Sequence, residues 1–268
     1  FLRRDGSAYF NGTTDYLRTS TSSDFDNSSG AWTAEVWVYR NSNTNTDPHI
    51  IRFGSGTTNR SGIFRRGTSN QIEFFQINGG SSNHLVSSVD LELNQWIHLA
   101  VCSDGTTTRL FKNGVQIASG PSNVGTSNEI AIGYEPFYSV SNDYFQGYIS
   151  NVRWIKGAAL YTSNFTPSTG PLTPLPNTKL LLNFNNYSIY DVTGKTNIKT
   201  LGSSIQTDTD VKFYEEGVVK FTRANTDYLE LENKPELQMG SADFTIEYWA
   251  YYLSTGSTHA MLISFANN

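Results

Sequence analysis

An internal repeat constrains this chain more than any other feature of its sequence. Residues 244–252 reproduce the pattern of residues 32–40. In both segments an aromatic residue comes first, and Thr, Glu, Trp and Tyr follow at every second position. Other landmarks follow in the same order at offsets of 211 or 212 residues: Phe10 with Phe221, residues 14–17 with residues 226–229, and Phe53 with Phe265. Because separated landmarks share nearly one offset, the sequence predicts a repeating unit of about 210 residues.

The repeat predicts the domain organisation of this chain of 268 residues. We expect a complete unit at residues 1–205, a linker at 206–210, and the N-terminal portion of a second, truncated unit at 211–268. The second copy would lack its later strands, and we therefore expect the chain to be a piece of a longer protein with several units. A unit of this length can bury a substantial core.

Composition indicates a folded, β-rich protein of an extracellular or virion setting. Only 37% of the residues are hydrophobic and 16% are charged, so Ser, Thr, Asn and Gly fill the remainder. Aromatic residues make up 13%, whereas disordered chains are poor in them. A net charge of −5, without a cluster of Lys or Arg, argues against a nucleic-acid partner. Apolar runs such as residues 97–102 are far shorter than the roughly 20 residues that cross a bilayer.

The secondary-structure signals are almost all those of strands. Short runs rich in Val, Ile, Thr, Tyr, Phe and Trp alternate with clusters of Gly, Asn, Asp and Ser. The Asn-Gly pair at 113–114 is a strong hairpin signal, and with the Asp-Gly pair at 104–105 it predicts a three-stranded meander over residues 96–117. The proline-rich residues 170–176 cannot lie inside a sheet and are expected to form an extended strap.

The predicted strands are too many for one open sheet, so the fold class is all-β, with two packed antiparallel sheets. We expect the core to include residues that recur in apolar strand runs: Phe10, Val36, Trp37, Trp96, Leu99, Val101, Val152 and Trp154. Cys102 also lies in such a run and is expected to be a buried, unreactive thiol.

A resemblance to a known family is carried by six segments: residues 10–17, 33–39, 95–101, 109–114, 145–154 and 157–167. The first four together resemble the laminin-G-like, concanavalin A-like lectin/glucanase jelly roll. The last two are similar to the closing half of that domain as it occurs in tandem in virion proteins of phages, notably marine phages. The resemblance spans residues 5–200 and resumes at about residue 211. It implies a jelly-roll sandwich, a fold that hosts lectins, glycosidases and structural modules alike.

No catalytic centre is predicted. Glycosidases of this fold carry Glu-x-Asp-x-x-Glu on one strand, and the sequence lacks that motif; Glu35 and its counterpart Glu247 are single acids followed by aromatic residues. His98 is expected to be a structural histidine, because the other histidines are scattered along the chain. Asp15 and Asp227 recur at equivalent positions, which favours a shared turn. Calcium could bind there, but its oxygen ligands are not assignable, and neither a metal nor another cofactor is predicted.

The loop at residues 134–144 is the candidate binding segment. It combines aromatic side chains with Asn, Asp and Ser, and aromatic faces beside planar polar groups suit a carbohydrate ring. The ligand-binding residues would be Tyr134, Phe137, Tyr138, Asn142 and Asp143. In the competing hypothesis, which we prefer slightly, Phe137 and Tyr138 pack against a neighbouring unit or subunit.

These features favour a non-enzymatic structural and adhesion protein of a virion, either a capsid or tail decoration or a fibre, built from tandem lectin-like sandwiches. The expected partners are other virion subunits or copies of itself and host surface polysaccharide, with no nucleic acid and no membrane. The expected location is a virion surface or another extracellular setting. The alternative is a dedicated carbohydrate-binding adhesin of a virus or bacterium. A glycan depolymerase is the least favoured function, because the required pair of acids is missing from the sequence.

Overall fold

The structure is a computed structural model that describes residues 6–42, 45–54, 56–136 and 143–184, the short pieces 192–193, 198–201 and 206–208, and residue 245. Within these residues the chain forms fifteen strands and two short 3-10 turns, Ser23–Phe25 and Gly67–Ser69. No helix in this part of the chain is long and apolar enough to cross a membrane.

The described strands form two antiparallel sheets, and they are numbered here in chain order. In hydrogen-bonded order, the eight-stranded sheet contains β10 (Val115–Pro121), β9 (Thr107–Lys112), β8 (Trp96–Ser103), β3 (Trp32–Arg40), β12 (Gln146–Lys156), β1 (Ser7–Asn11) and β15 (Gln206–Asp208), with β13 (Thr178–Leu182) also paired to β12. The seven-stranded sheet contains β14 (Ile198–Leu201), β2 (Tyr16–Thr19), β11 (Ile130–Ile132), β4 (His49–Gly54), β5 (Arg60–Arg66), β6 (Gln71–Asn78) and β7 (Ser81–Asp90). The predicted all-β, two-sheet antiparallel sandwich is confirmed.

The chain divides into two compact units, Phe1–Val218 and Val219–Asn268. Strand β15 pairs with β1, so residues 206–208 of the predicted linker are hydrogen-bonded to the first sandwich. The predicted second unit at 211–268 lies outside the described residues, apart from Thr245. The tandem arrangement therefore remains a prediction.

The meander predicted over residues 96–117 consists of strands β8, β9 and β10. Its second turn has positive φ angles at Asn113 (48°) and Gly114 (80°), the combination that the favoured two-residue hairpin turn requires. The Asn113 side-chain oxygen also accepts a hydrogen bond from the backbone N–H of His98 at 2.9 Å. Local turn chemistry therefore fixes the register of this part of the sheet.

Two strands lack the sequence signals from which strands are predicted. Strand β2 is only four residues long, and β7 is a polar edge strand in which Leu85 and Ser87 are the buried residues. Strand β7 forms because β6 offers it a hydrogen-bonding edge, where Phe74 pairs with Leu85. Hydrogen-bonded pairing with β6 therefore outweighs the weak intrinsic strand propensity of the β7 sequence.

The core between the sheets is centred on four aromatic rings. Trp32 of β3 and Trp154 of β12 project from the eight-stranded sheet, and Phe53 of β4 and Phe74 of β6 project from the seven-stranded sheet. Neighbouring ring centroids in this group lie between 4.9 and 6.2 Å apart. Large aromatic side chains dominate the apolar area buried in a core, so these four rings hold the two sheets together.

The predicted core is correct at six positions: Phe10, Val36, Leu99, Val101, Val152 and Trp154. The placement of Trp37 and Trp96 in that core is wrong. Both side chains lie on the outer face of the eight-stranded sheet, where they pack against each other. Alternate residues of a strand face opposite sides of the sheet, and Val36 and Ile97 occupy the inward positions beside them.

A strap formed by residues 157–177 covers one half of the outer face of the eight-stranded sheet. It contains no strand, as predicted for its proline-rich part, and all of its residues belong to the described chain. The rings of Tyr161 and Phe165 are stacked with centroids 3.5 Å apart, and they pack against Phe111 and Cys102. The thiol of Cys102 is buried, as predicted, and burial raises its pKa to about 12.

Glu35 of β3 joins the strap to the sheet through a fully buried carboxylate. It accepts hydrogen bonds from Arg153 Nε at 2.8 Å and from the Tyr161 hydroxyl at 3.1 Å, and it lies 3.1 Å from His98 Nε2. Burial acts to raise the pKa of Glu35, but the hydrogen bonds and charges of His98 and Arg153 outweigh it and hold that pKa below its usual value. Arg153 also donates to the Thr173 carbonyl oxygen at 3.0 Å. His98 is fully buried in this network, as a structural histidine would be.

The position of Trp154 in the aromatic core predicts a large effect of its removal. Trp154→Ala should lower the free energy of unfolding by about 3–5 kcal/mol, because it leaves a cavity between the sheets. The matched control Trp96→Ala removes a half-buried ring from the outer face and should cost at most about half as much. Urea unfolding of both variants measures the difference, and equal losses would contradict this assignment of the core.

The Glu35 network predicts a second difference between matched variants. Glu35→Gln leaves the buried guanidinium of Arg153 without its counter-charge and should lower the free energy of unfolding by about 3–5 kcal/mol. The control Glu92→Gln removes a carboxylate that is 42% exposed and paired with Lys112. Its cost should be about 0–1 kcal/mol, as is usual for surface ion pairs. A Glu35→Gln protein as stable as Glu92→Gln would refute the role of the network.

Candidate functional site

The ends of the loop at residues 134–144 are fastened to the seven-stranded sheet. The backbone N–H of His49 donates to the Asp143 carbonyl oxygen at 2.9 Å, and that of Gly133 donates to the Ile50 carbonyl oxygen at 3.0 Å. The backbone N–H of Phe145 closes the loop by donating to the Gly133 carbonyl oxygen at 2.9 Å. Two of the predicted site residues, Tyr134 and Asp143, therefore stand at the two ends of a loop anchored on β4.

The other three predicted site residues, Phe137, Tyr138 and Asn142, lie outside the described residues. Their assignment to ligand binding remains a prediction. The same holds for the competing hypothesis, in which Phe137 and Tyr138 contact a neighbouring unit or subunit.

A tyrosine cluster, formed by Tyr16, Tyr134 and Tyr144, lies at the base of the loop. The rings of Tyr134 and Tyr144 are stacked, with centroids 3.9 Å apart and planes inclined by 8°. The Tyr16 ring lies 5.2 Å from Tyr134 and 6.4 Å from Tyr144. All three residues are half-buried, so each is partly open to solvent.

The alternation of β2 places Tyr16 on the outer face. Leu17 is buried in the core, so Tyr16 and Arg18 project from the opposite side of the sheet. Burial, together with the neighbouring Tyr144 and Asp143, raises the pKa of Tyr134 to about 12. The pKa of Tyr16 is raised as well, chiefly by burial. Both hydroxyls are protonated at neutral pH, as they would be without these shifts, and can donate hydrogen bonds.

An ion pair borders the tyrosine cluster on the same face of the sheet. Arg18 binds Glu129 through two nitrogens, Nε to Oε1 and Nη2 to Oε2, the second at 2.6 Å. The Arg18 side chain is 37% exposed, whereas that of Glu129 is 3% exposed. The hydrogen bond with Glu129 raises the pKa of Arg18. The pair presents a planar, positively charged group to solvent beside the tyrosine rings.

A buried ion network holds the first part of the loop against the sheet. Glu135 Oε2 accepts from Nε of the fully buried Arg52 and from Nη1 of Arg60 at 3.2 Å. The Arg52 guanidinium lies over the Phe75 ring, 4.9 Å from its centroid. A Cβ at Gly62 would come within 3.0 Å of Phe75, so glycine at this position leaves room for that contact. Burial lowers the pKa of Arg52 to about 10, which still leaves it charged at neutral pH.

Asp143, at the other end of the loop, has an unusual protonation equilibrium. Its residue is 6% exposed, and burial, followed by repulsion from Asp47 and Glu135, raises its pKa to about 7. Arg60 acts in the opposite direction. The carboxyl group is therefore about half ionised at neutral pH, and the two forms can accept or donate a hydrogen bond.

The turn at Asp15 is built from hydrogen bonds within the chain. Asp15 Oδ2 accepts from the backbone N–H of Asn11 at 3.1 Å, and the Asn11 side-chain oxygen accepts from the N–H groups of Thr13 and Thr14, both at 2.9 Å. This favours the turn over calcium binding as the reason for the recurrence of Asp15 and Asp227. Within the described residues, no group of three or more His, Cys, Asp or Glu could hold a metal ion.

Sequence reasoning finds only part of this site. Tyr134 and Asp143, which the sequence predicts, belong to the tyrosine cluster and to the anchored end of the loop. Tyr16, Arg18 and Arg52 come from distant segments, and the sequence around them does not indicate a binding site. The period-two alternation of β2 could have indicated that Tyr16 and Arg18 share the outer face. Their meeting with the loop depends on the pairing of β2 with β11.

Comparisons with known proteins agree on the fold. The family model described as the concanavalin A-like lectin/glucanases superfamily matches residues 11–160. A crystal structure of a candidate carbohydrate-binding protein from Bacteroides ovatus is similar, with a TM-score of 0.60 and 18% identity over 77% of this chain and 60% of that chain. No curated protein sequence matches the chain significantly.

Two further solved structures are less similar. The heptameric SAP-like pentraxin of Limulus polyphemus has a TM-score of 0.46 and 13% identity, over 76% of this chain and 96% of that chain. The CBM40 of the Ruminococcus gnavus IT-sialidase, bound to α2,3-sialyllactose, has a TM-score of 0.46 and 16% identity, over 60% of this chain and 94% of that chain. At such identities the similarity concerns the fold alone.

The raised pKa of Asp143 predicts a pH-dependent effect of Asp143→Asn. The unfolded chain ionises this group near its ordinary pKa of about 4, and the folded chain near 7, so its contribution to stability is complete below about pH 4 and is lost as the pH rises through 7. The variant should therefore melt at the same temperature as the wild type at pH 4 and on the order of a few degrees higher at pH 8. Thermal melts at both pH values measure this; a variant that melts lower at pH 8 would contradict the shifted pKa.

Proposed function

The chain belongs to the concanavalin A-like lectin/glucanase superfamily, and from that premise we propose that it binds glycans, without hydrolysing them, at the tyrosine cluster. The observation that carries the proposal is the stacked, half-buried pair Tyr134 and Tyr144, with Tyr16 beside it and the Arg18–Glu129 pair on the same face. The proposed contact surface is thus a set of aromatic faces next to a planar hydrogen-bonding group.

The chemistry of a sugar ring suits this arrangement. A pyranose has apolar C–H faces that pack on aromatic rings, and hydroxyl groups around its edge that need hydrogen-bond partners. The tyrosine rings supply the first, whereas the exposed guanidinium of Arg18 supplies donors for the second. The hydroxyls of Tyr16 and Tyr134 are protonated at neutral pH, as tyrosine hydroxyls ordinarily are, and add further donors.

The pairing of the glutamates Glu129, Glu135 and Glu35 supports binding over hydrolysis. A glycosidase needs two carboxyl groups flanking the scissile bond, one as acid and the other as base or nucleophile. Glu129 is paired with Arg18, Glu135 with Arg52 and Arg60, and both carboxylates are almost fully buried. Glu35, the acid of the repeated strand, is buried on the other sheet beneath the strap. These carboxylates serve as structural counter-ions.

The second part of the proposal concerns where the protein is located. We place the chain on an extracellular surface, either as a structural and adhesion component of a virion beside other subunits or copies of itself, or as a dedicated adhesin. The virion assignment rests on the resemblance of residues 145–154 and 157–167 to phage virion domains. The description of the similar Bacteroides ovatus structure as a candidate carbohydrate-binding protein supports glycan binding in either setting. Tandem units would strengthen weak individual contacts through avidity.

A glycan array probed with the full chain tests the proposal. The wild type should bind at least one class of surface polysaccharide, and a Tyr134→Ala, Tyr144→Ala double variant should bind it roughly tenfold more weakly, since aromatic anchors dominate such interfaces. The matched control is a Tyr9→Ala, Tyr148→Ala double variant, which removes another tyrosine pair, with ring centroids 5.1 Å apart, from the eight-stranded sheet. Its glycan binding should equal that of the wild type.

Two other outcomes would count against the proposal. No binding by the wild type, or equal losses in both double variants, would eliminate the tyrosine cluster as a glycan site. Release of reducing sugar from a bound polysaccharide would contradict the absence of hydrolysis. A third double variant, Phe137→Ala with Tyr138→Ala, tests the predicted part of the loop; weaker binding would extend the site to those residues, and unchanged binding would limit it to the cluster.

A further inference from the structure

The side chain of Asn45 connects two of the segments that form the tyrosine cluster. Its Nδ2 group donates to the Gly12 carbonyl oxygen at 2.7 Å and to the Tyr144 carbonyl oxygen at 2.5 Å. Both partners are carbonyl oxygens, which only accept hydrogen bonds, so the NH2 group of the amide must face them. Asn45 lies between β3 and β4, whereas Gly12 lies between β1 and β2 and Tyr144 just before β12. One amide group therefore fastens three separate parts of the chain to each other.

The turn before β2 has a shape that admits this amide. Gly12 has a φ of 78°, and a Cβ at this position would lie only 3.2 Å from Asn45 Nδ2. The left-handed φ and the close approach both favour glycine there. The Asn11 side-chain oxygen holds the rest of the turn, because it accepts hydrogen bonds from the backbone N–H groups of residues 13–15. A fixed Gly12 therefore fixes the start of β2, which carries Tyr16.

Arg65 holds the backbone of Asn45 in place. It is buried, with 3% of the residue exposed. Its Nη2 donates to the carbonyl oxygens of Asn45 and Thr46, the second at 3.1 Å. Its Nη1 donates to the Gly67 carbonyl oxygen at 2.6 Å and to Asn70 Oδ1 at 3.0 Å. All four acceptors are neutral, so the planar guanidinium serves here to fix backbone and amide groups of two loops relative to each other.

These contacts form a path from Arg65 through Asn45 to Tyr144, and the path ends at the stacked rings. The rings of Tyr134 and Tyr144 are 3.9 Å apart and inclined by 8°, a geometry that depends on where the Tyr144 backbone lies. A binding surface whose side chains are already in place loses less conformational freedom when a ligand binds. The groups that support such a surface from behind therefore affect its affinity without contacting the ligand.

We propose that Asn45 and Arg65 are positioning residues of the tyrosine cluster. Asn45 fixes Tyr144 against Tyr134, and Arg65 fixes Asn45. Neither residue needs to contact the glycan. The expected effect on glycan affinity rests on the proposed function, whereas the expected effect on the stacked rings does not require a glycan.

Hydroxyl-radical footprinting of the free protein tests the positioning directly. Asn45→Ala removes both hydrogen bonds, and Asn45→Asp keeps the shape of the side chain but has no NH2 group to donate. Both variants should increase the oxidation of Tyr134 and Tyr144, because each stacked ring shields one face of the other. The oxidation of Tyr9 and Tyr148, on the other sheet, should stay at the wild-type rate.

Two pairs of matched variants separate positioning from a general loss of contacts. Asn83→Ala removes another asparagine bond to a backbone carbonyl oxygen, that of Pro121 at 3.1 Å, and should leave the oxidation of the cluster unchanged. Arg65→Lys keeps the charge but has no planar fork to reach the same acceptors, so it should act like Asn45→Ala. Its control is Arg66→Lys, at a side chain that is 52% exposed, which should act like the wild type. Thermal melts establish that each variant is folded.

The affinity for a polysaccharide that the wild type binds gives a second readout. Asn45→Ala should weaken binding roughly tenfold. In a Tyr144→Ala background the same substitution should change the affinity less than about twofold, because Asn45 then has no ring to position.

Three results decide between the hypotheses. Equal losses of affinity from Asn45→Ala in the two backgrounds would overturn the proposal, since Asn45 would then act independently of Tyr144. Oxidation of Tyr134 and Tyr144 at the wild-type rate in both Asn45 variants would overturn it as well. A wild type that binds no glycan would overturn the proposed function but not the positioning, which the footprinting of the free protein decides.

Discussion

The buried carboxylate of Glu35 is the interaction on which the outer architecture of this sandwich depends. It joins β3 to β12 through Arg153, to β8 through His98 and to the strap through Tyr161. A buried carboxylate is stable only when charged and hydrogen-bonding partners surround it, so the four groups must assemble together. The strap then covers one half of the outer face of the eight-stranded sheet, around Glu35 and Phe111, and does not extend over the other half, where Tyr39 and Trp96 lie.

The two outer faces of the sandwich differ in chemistry. On the seven-stranded sheet, tyrosine rings lie next to charged, planar groups such as Arg18, a combination suited to hydroxyl-rich ligands. On the eight-stranded sheet, the rings of Tyr9, Tyr148, Tyr39 and Trp96 form a row across four strands, with their centroids 5.1 to 6.0 Å apart. The glycan proposal therefore concerns the seven-stranded sheet alone.

The fold could be predicted from the sequence because its signals are local. The Asn-Gly pair at 113–114 acts over a few residues, and the meander that it predicts over residues 96–117 is present in the structure. The core assignment failed at Trp37 and Trp96 because apolarity alone does not reveal which side of a strand faces inward. The bulge at Asn151, with a φ of 50°, changes the alternation of β12 so that both Tyr148 and Arg153 face outward. No short sequence pattern predicts this bulge. None predicts that Tyr16 of β2 contacts Tyr134 and Tyr144 of the loop, because these residues are distant in sequence.

Residue-level footprinting with hydroxyl radicals, on the unmodified chain with and without a bound polysaccharide, tests whether glycans contact the outer face of the seven-stranded sheet at the tyrosine cluster. The polysaccharide should lower the oxidation of Tyr134, Tyr144 and Tyr16, while the oxidation of Tyr9 and Tyr148 stays the same. Protection of Tyr9 and Tyr148, with the tyrosine cluster still oxidised at its original rate, would contradict this contact.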